Sequence, residues 1–496
     1  MAREIKLVDT TLRDGNQSLW ALNMSTGMML SALPHLDDAG FEAMEFTSLA
    51  GQMKKMASHM GQDAFEWLKQ GTKRRNTTAL RLHGGTRGGL AKIPLSAAMR
   101  CIEIAREHGI TVTRTSNPWN DFEEERGERE DLRQLEIDLV MNVIYSESPR
   151  HTNEYFIERT KGAVALNPWR ICFKDVGGLL TPERTRELVP LVLDAAGDIP
   201  VEFHAHSNNG LSPINVLEAA KAGIEYIHTG VPPLANGSGQ PSVFNVTRNL
   251  RALGFEVNIH EEPLRLAEQA LSNIARVNEF PVGAPLEYDY YQYLHQVPGG
   301  MISNLRYQLH LVGMGHRIEE TLQEAIRVRA EFGYPIMVTP LSQFVGTQAA
   351  INIITGERYA EVSDQVIQYA LGYWGKEPVT TMDQEVRAKI LNRGRAREWA
   401  KWEQPQPTFE ELRHHYGENT PDEEVLLRVY AGDEGKAAMG RWDAPEPYLS
   451  ARQGIASLIK DLVARRNFNH IAVNRNRSRI ALGVRPHSGK EQDSAN

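Results

Sequence analysis

The chain is poor in cysteine, in excess positive charge and in long apolar runs. Two cysteines, Cys101 and Cys172, among 496 residues cannot build a disulfide framework. They fit a reducing compartment, such as a bacterial-type cytoplasm or an organelle matrix. Lysine and arginine (55) fall short of aspartate and glutamate (63), which leaves a net charge of −8. That balance supports no nucleic-acid partner. No apolar run approaches the ~18 residues of a membrane span, and the opening Met-Ala-Arg-Glu lacks the apolar core of a signal peptide. A cytoplasmic protein with no membrane span is expected. Internal repeats and low-complexity tracts are missing too. What remains is a globular composition, 41% hydrophobic and 24% charged, with length for two or three domains.

Strand-like segments at 5–9, 43–46, 78–82, 111–115, 137–145, 170–174, 201–204 and 226–229 alternate with helical patterns at 95–107, 182–196 and 211–222. Eight such strands predict an α/β fold, a (β/α)8 barrel of the TIM type. A doubly wound open sheet is the alternative, but no Gly-rich phosphate turn follows the first strand. After residue 255 helices dominate, at 262–278, 318–332, 341–354 and 362–373. Gln404 to Pro407 alternates Gln and Pro and reads as a linker. Short helices are expected at 408–415 and 422–430, then a helix at 455–463, a hairpin over 471–484 around Asn474-Arg-Asn-Arg477, and a disordered polar tail. The expected domains are a barrel at 1–256, a helical extension at 257–403, and a C-terminal segment at 404–496 with a small α+β piece.

Chemistry concentrates at three predicted strand ends. Leu7-Val-Asp-Thr-Thr-Leu-Arg-Asp-Gly-Asn-Gln-Ser18 ends its strand in an Asp14-Gly15 turn signal, with Arg13, Asp14 and Gln17 beside it. In barrels of this kind, sites sit at the C-terminal ends of strands. Val201-Glu-Phe-His-Ala-His-Ser-Asn-Asn-Gly210 places His204 and His206 two apart, on one face of a strand. Arg170-Ile-Cys-Phe-Lys-Asp-Val-Gly-Gly178 closes a strand with Lys174. Each has a bland reading: a turn, a pair of satisfied histidines, and a salt bridge of Lys174 with Asp14 or Glu45. Together they supply ligands for zinc, manganese or cobalt, with open positions for a substrate. An ammonium would repel the cation, so Lys174 joins such a site as a carbamate or a neutral amine. The metal would stabilise an enolate as a Lewis acid.

From residue 5 to about 435 the chain resembles the carboxyltransferase domains of biotin-dependent carboxylases: pyruvate carboxylase, the oxaloacetate decarboxylase α subunit and the transcarboxylase core. The wider group is that of the metallolyases. The matching motifs are Asp9-Thr-Thr-Leu-Arg-Asp-Gly-Asn-Gln-Ser-Leu-Trp-Ala21, Phe173-Lys-Asp-Val-Gly-Gly-Leu-Leu-Thr-Pro182 and His204-Ala-His206. They continue with Pro233-Leu-Ala-Asn-Gly-Ser-Gly-Gln-Pro-Ser242, His295-Gln-Val-Pro-Gly-Gly300 and Val338-Thr-Pro-Leu-Ser-Gln-Phe-Val-Gly346. The resemblance implies that Asp14, His204, His206 and carbamylated Lys174 bind the metal. Arg13 would hold the enolate oxygen and Gln17 would position substrate. Thr339, in the extension's biotin-pocket motif, would relay a proton between substrate and biotin. A bland reading of Thr339-Pro340 is a helix start with Thr as N-cap.

Departures from the resemblance fall on substrate-facing strand ends. His83-Gly84 stands where relatives carry the Arg-Gly that holds the substrate carboxylate. Arg81 lies two residues earlier and Arg87 in the loop beyond. Glu45-Phe-Thr-Ser-Leu-Ala replaces Gly-Gly-Ala-Thr-Phe-Asp after strand two. Arg114-Thr-Ser-Asn117 replaces Arg-x-Phe-Asp after strand four. Ser207 and Asn23 replace an Asp and an Arg. The expected substrate is therefore not pyruvate, with His83, Arg81 and Arg114 as further substrate-binding candidates. No Met-Lys-Met biotin-attachment motif occurs, so biotin is expected on a separate biotin carboxyl carrier protein. A biotin carboxylase subunit and self-association into a homodimer or larger homo-oligomer are expected with it. The alternatives are a biotin-independent metal-dependent lyase or decarboxylase acting through an enolate, and a non-catalytic subunit.

Overall fold

Eight parallel strands close into a barrel, in chain order around the ring: β1 (Lys6–Asp9), β2 (Ala43–Thr47), β3 (Ala79–His83), β4 (Val112–Thr115), β5 (Asp138–Ile144), β6 (Arg170–Asp175), β7 (Val201–Ala205) and β8 (Tyr226–Thr229), which pairs back onto β1. The computed structural model describes residues 2–86, 93–439, 470–475 and 478–483. Strands covered on both faces read as nearly continuous apolar runs, and Val8, Phe46, Val140, Val143, Phe173, Phe203 and Ile227 are fully buried. Connecting helices form the outer ring. Leu95–Glu107 and Pro182–Ala196 form as the sequence predicts, the second capped by the Thr181 side chain on the Arg184 N–H.

The first strand end differs from the expected turn. Asp14-Gly15 belongs to a π-helical segment, Thr11–Gly15, that runs into the helix Asn16–Trp20. The amides of Asp14 and Gly15 both donate to the Thr10 carbonyl, at 2.8 and 3.0 Å. A Cβ at position 15 would lie 2.6 Å from the Leu234 carbonyl oxygen, so glycine lets the loop after β8 close against this segment. Single π turns of this kind recur at functional sites.

The extension packs a core of its own. Val297, Leu305, Val328, Phe332, Leu341, Val345 and Tyr369 are buried together with Trp119. Trp119 comes from the loop after β4, and its indole donates to the Trp374 carbonyl at 3.0 Å. That shared tryptophan ties extension to barrel. Residues 404–407 carry no regular structure but are not a free linker. The Gln406 side chain accepts the Leu95 N–H at 2.8 Å, and Gln404 donates to the Ile93 carbonyl. The N-terminus of Leu95–Glu107 has no side-chain cap of its own, so this segment serves as one. The helix Asp422–Ala438 then lies on Leu49–Met60, with Arg100–Asp422 paired at 2.7 Å. Among the described residues no helix is long and apolar enough to cross a membrane.

Met1–Glu446 form one compact unit, within which both expected boundaries, after 256 and after 403, fall. Pro447–Asn496 form a second unit, where β9 (His470–Arg475) and β10 (Ser478–Gly483) make an antiparallel hairpin. The helix expected at 455–463 and the tail lie outside the described residues.

Candidate metal and substrate site

Barrel lumens are ordinarily filled by branched apolar side chains. This one is filled by ions. Glu202 and His204 lie on one face of β7, His206 follows just past its end, and His228, Glu45, Arg114 and Arg81 face them from other strands, all buried. Burying charge is tolerable only when each group is paired. Three layers of pairing result.

At the base, Arg81 donates to Glu202 Oε1 at 2.7 Å, and Arg170 donates to the same oxygen at 3.1 Å. Burial alone would raise the Glu202 pKa, but Arg81, the His228 hydrogen bond and Arg170 hold it below the usual carboxylate range. Arg81 also stacks on Trp169, which precedes β6 at the barrel's lower rim. As a candidate for the substrate carboxylate, Arg81 is thus placed one layer too deep and is already committed to Glu202.

In the middle layer Glu45 is gripped by two arginines. Arg13 Nε donates to its Oε2 at 2.8 Å, while Arg13 Nη2 and Arg114 Nη2 complete the clamp. Burial raises the Glu45 pKa, and Arg114 and Arg13 more than reverse it. Arg114 also donates to Asn142 Oδ1 at 2.9 Å. The site candidates Arg13 and Arg114 therefore come together through a glutamate that the sequence offers only as a possible partner of Lys174.

At the mouth, Asp14, His204 and His206 converge. Asp14 Oδ2 lies 3.4 Å from His206 Nε2 and 3.7 Å from His204 Nε2, and the two Nε2 atoms are 3.1 Å apart. His206 Nδ1 is 2.6 Å from the Ser238 carbonyl, which only accepts, so the His206 proton is on Nδ1. Burial keeps both imidazoles below their ordinary pKa, hence neutral. His206 Nε2 is thereby a lone pair aimed at Asp14 and His204. Ligand atoms about 2.0–2.2 Å from one ion stand about 3 Å apart, so this spacing fits a divalent cation. Asp14 remains ionised, because the Arg13 guanidinium, at 2.9 Å, outweighs its burial.

Lys174 is the β6 neighbour of His204 in register and is buried. Burial first, then Arg114 and Arg13, lower its pKa to about 7. Among the described residues it pairs with neither Asp14 nor Glu45, both of which are taken by arginines. His83, beside Arg114 in register, is half-buried, and its Nδ1 atom is covered with no hydrogen-bond partner among the described residues. Burial and the guanidiniums of Arg13 and Arg114 hold its imidazole neutral. Gln17 is exposed and accepts from Arg13 Nη1 at 3.4 Å. Arg87 lies outside the described residues.

Thr339 is exposed before the helix Leu341–Thr355. Pro340, not Thr339, occupies the N-cap position, and no side chain caps the helix. The N-cap reading of Thr339 is corrected accordingly: its hydroxyl makes no hydrogen bond among the described residues.

The sequence motifs assign no role to Gln240, His228 or Glu202. Gln240 donates to Asp14 Oδ2 at 3.3 Å from within the quoted loop after β8, and His228 hydrogen-bonds both His204 and Glu202. The available signal is alternation: Glu202 is two residues before His204, as His206 is two after.

Comparison with known proteins places this arrangement among relatives. The HMGL-like family model matches residues 4–271, and the conserved carboxylase domain matches residues 293–438. A pyruvate carboxylase subunit from Methanocaldococcus jannaschii is 32% identical over 396 residues, covering 79% of this chain and 69% of that protein. The 2-oxoglutarate carboxylase large subunit of Hydrogenobacter thermophilus is 29% identical over 435 residues, covering 86% of this chain and 66% of that one. The carboxyl transferase domain of Rhizobium etli pyruvate carboxylase superposes with a TM-score of 0.77 at 20% identity, over 88% of this chain and 77% of that one.

Proposed function

Because this chain belongs to the HMGL-like family and joins its barrel to a conserved carboxylase domain, as carboxyltransferase subunits of biotin-dependent carboxylases do, we propose that it transfers carboxylate between carboxybiotin and an enolisable carbonyl acid other than pyruvate. The observation that carries this is the convergence of Asp14, His204 and His206 beside Arg13 and Lys174 at the barrel mouth. Asp14 and the two Nε2 atoms would hold a divalent metal, with Lys174 as a fourth ligand once carbamylated. The amine's lowered pKa leaves much of it neutral near pH 7, the form that adds to carbon dioxide. When bound, the metal supplies Lewis acidity toward the substrate oxygen.

The chain's own groups do the rest. Arg13, held by Glu45 and Asp14, presents a fixed positive charge to the developing enolate oxygen. Thr339, with its free hydroxyl, would pass the proton leaving the substrate carbon to the ureido nitrogen of biotin. The carboxyl leaves that nitrogen as its bond to the substrate carbon forms. His83 supports a different head group from pyruvate, because a neutral imidazole cannot make the paired hydrogen bonds of an arginine with a carboxylate. Arg81 cannot substitute, being bound to Glu202. Biotin would arrive on a carrier protein charged by a biotin carboxylase subunit, in the cytoplasm, with this chain in a homo-oligomer.

The test is transfer from carboxybiotin to a panel containing pyruvate, 2-oxoglutarate and uncharged carbonyl compounds, using metal-loaded protein. Biotin-dependent turnover on a member other than pyruvate is expected. Turnover that needs metal but not biotin would establish a lyase instead.

A further inference from the structure

We infer that His228 and Glu202 dictate which nitrogen of His204 is free to bind the cation, acting from below as positioning residues. This rests on the metal reading above. The chain of hydrogen bonds runs from the barrel base to the mouth. Glu202 Oε2 is 2.9 Å from His228 Nε2, and His228 Nδ1 is 2.9 Å from His204 Nδ1. All three side chains are fully buried, so no water completes their bonding from outside.

The proton positions follow in order. Glu202 Oε1 accepts from Arg81 and Arg170, and two guanidiniums hold that carboxylate ionised. An ionised carboxylate only accepts, so His228 carries its proton on Nε2. The His228–His204 contact joins two Nδ1 atoms, so one donates and the other accepts; with His204 Nε2 accepting from the Gln240 NH2, the acceptor is His228 Nδ1. His204 must therefore carry its proton on Nδ1, and its Nε2 is left as a lone pair facing Asp14 and His206.

The Gln240 contact holds this tautomer from the opposite side. The Ala205 N–H donates to Gln240 Oε1 at 3.1 Å, which fixes the orientation of that amide. Its NH2 end lies 3.0 Å from His204 Nε2, a contact only an acceptor nitrogen satisfies. A histidine side chain left to itself favours the proton on Nε2, which would block the ligating nitrogen. The Glu202–His228 pair works against that default. Outer partners of metal-binding histidines act in this way through one carboxylate or carbonyl. Here the effect is relayed through a second imidazole, anchored by two arginines.

The test uses full-length protein with 15N-labelled histidine and chelator competition for zinc. Metal-free wild type should show His204 protonated at Nδ1. His228→Leu, which cannot accept, should shift the His204 proton to Nε2 and weaken zinc binding about 10–100-fold. His228→Gln, whose carbonyl can accept from His204 while its NH2 donates to Glu202, should restore most of both. Metal-free wild type with His204 protonated at Nε2 would overturn the inference, a result readable even if His228→Leu does not fold. So would His228→Leu with unchanged tautomer and affinity. If wild type shows the expected tautomer but binds no metal, the metal reading fails and the tautomer control stands.

Discussion

The Nε2 atoms of His204 and His206 face each other at 3.1 Å, and the hydrogen bonds on their far sides leave a lone pair on each. Two lone pairs and the Asp14 carboxylate converge there, and the Gln240 NH2 reaches only His204 and Asp14, so the acceptor set suits a cation. Purified protein should carry one divalent metal per chain. Removing it with chelator should lower the unfolding temperature, and restoring zinc, manganese or cobalt should raise it, since a ligand at ~100 times its Kd adds ~2.7 kcal/mol. His206→Ala should lose most of the metal and keep its circular dichroism. Elemental analysis finding none in fresh wild type, with no thermal response to any of the three ions, would count against the site.

Lys174 is buried next to His204 with its pKa lowered to about 7. Incubation with 13C-bicarbonate should give one slow-exchanging carbamate resonance that Lys174→Ala lacks. The same variant should lose turnover and bind metal more weakly. A wild-type spectrum without that resonance, in fully active protein, would exclude the carbamate.

His83 makes substrate choice testable by gain rather than loss. Wild type should carboxylate pyruvate poorly. His83→Arg should raise pyruvate turnover at least ~10-fold, since a paired guanidinium–carboxylate contact is worth more than one hydrogen bond. Efficient pyruvate carboxylation by wild type would refute the assignment of His83.

The eight strands are legible because each is a short run rich in β-branched, aromatic or other apolar residues, largely buried and bounded by polar turns; β4 (Val-Thr-Arg-Thr) is the least apolar. Their observed ends lie within one or two residues of the expected ones. Alternation also shows which residues enter the lumen. It does not show how deep they sit, because depth depends on the stagger between strands and on irregularities such as the shift between Glu45 and Thr47 in the β2–β3 pairing. Alternation alone therefore carries Arg81 to the mouth, whereas it pairs with Glu202 at the base. For the same reason the His204–His228–Glu202 chain is invisible in the sequence: His228 and Glu202 meet across strands whose sequences carry no mark of each other. The 404–407 segment misleads through composition, since Gln and Pro also suit a segment that caps a neighbouring helix.

Asp9 gives a pH-dependent prediction. Burial raises its pKa from 3.8 to about 7 despite the Thr11 hydroxyl hydrogen bond, and its Oδ2 has no partner. A carboxyl with a raised folded pKa favours the folded state fully below the unfolded pKa. That contribution is lost as pH rises from about 4 to 7, and is constant above. Asp9→Asn cannot ionise, so its stability relative to wild type should improve by ~2–3 kcal/mol between pH 5 and pH 8. Urea unfolding of both proteins at the two pH values measures this. An unchanged difference would mean that Asp9 ionises in the fold without penalty.

Thr339 decides between carboxyl transfer and a biotin-independent lyase. Its hydroxyl is exposed and makes no internal hydrogen bond among the described residues, and the helix that follows takes no cap from it. Thr339→Ala should consequently leave stability within ~0.5 kcal/mol of wild type, the usual range for a surface change that breaks no contact. Any loss of turnover then reports chemistry and not folding. A relay between substrate carbon and ureido nitrogen needs a group that donates and accepts, within ~3 Å of both. With carboxybiotin as donor, Thr339→Ala should lose ~100-fold or more in transfer, a size typical of positioned proton transfer. Thr339→Ser should retain part of the rate, because the hydroxyl is kept and only a methyl is lost. A lyase that bypasses biotin makes no use of this hydroxyl, so both variants would then turn over at the wild-type rate. Equal rates for Thr, Ser and Ala at position 339, in metal-loaded protein, would remove the relay and with it the strongest role for the extension in catalysis.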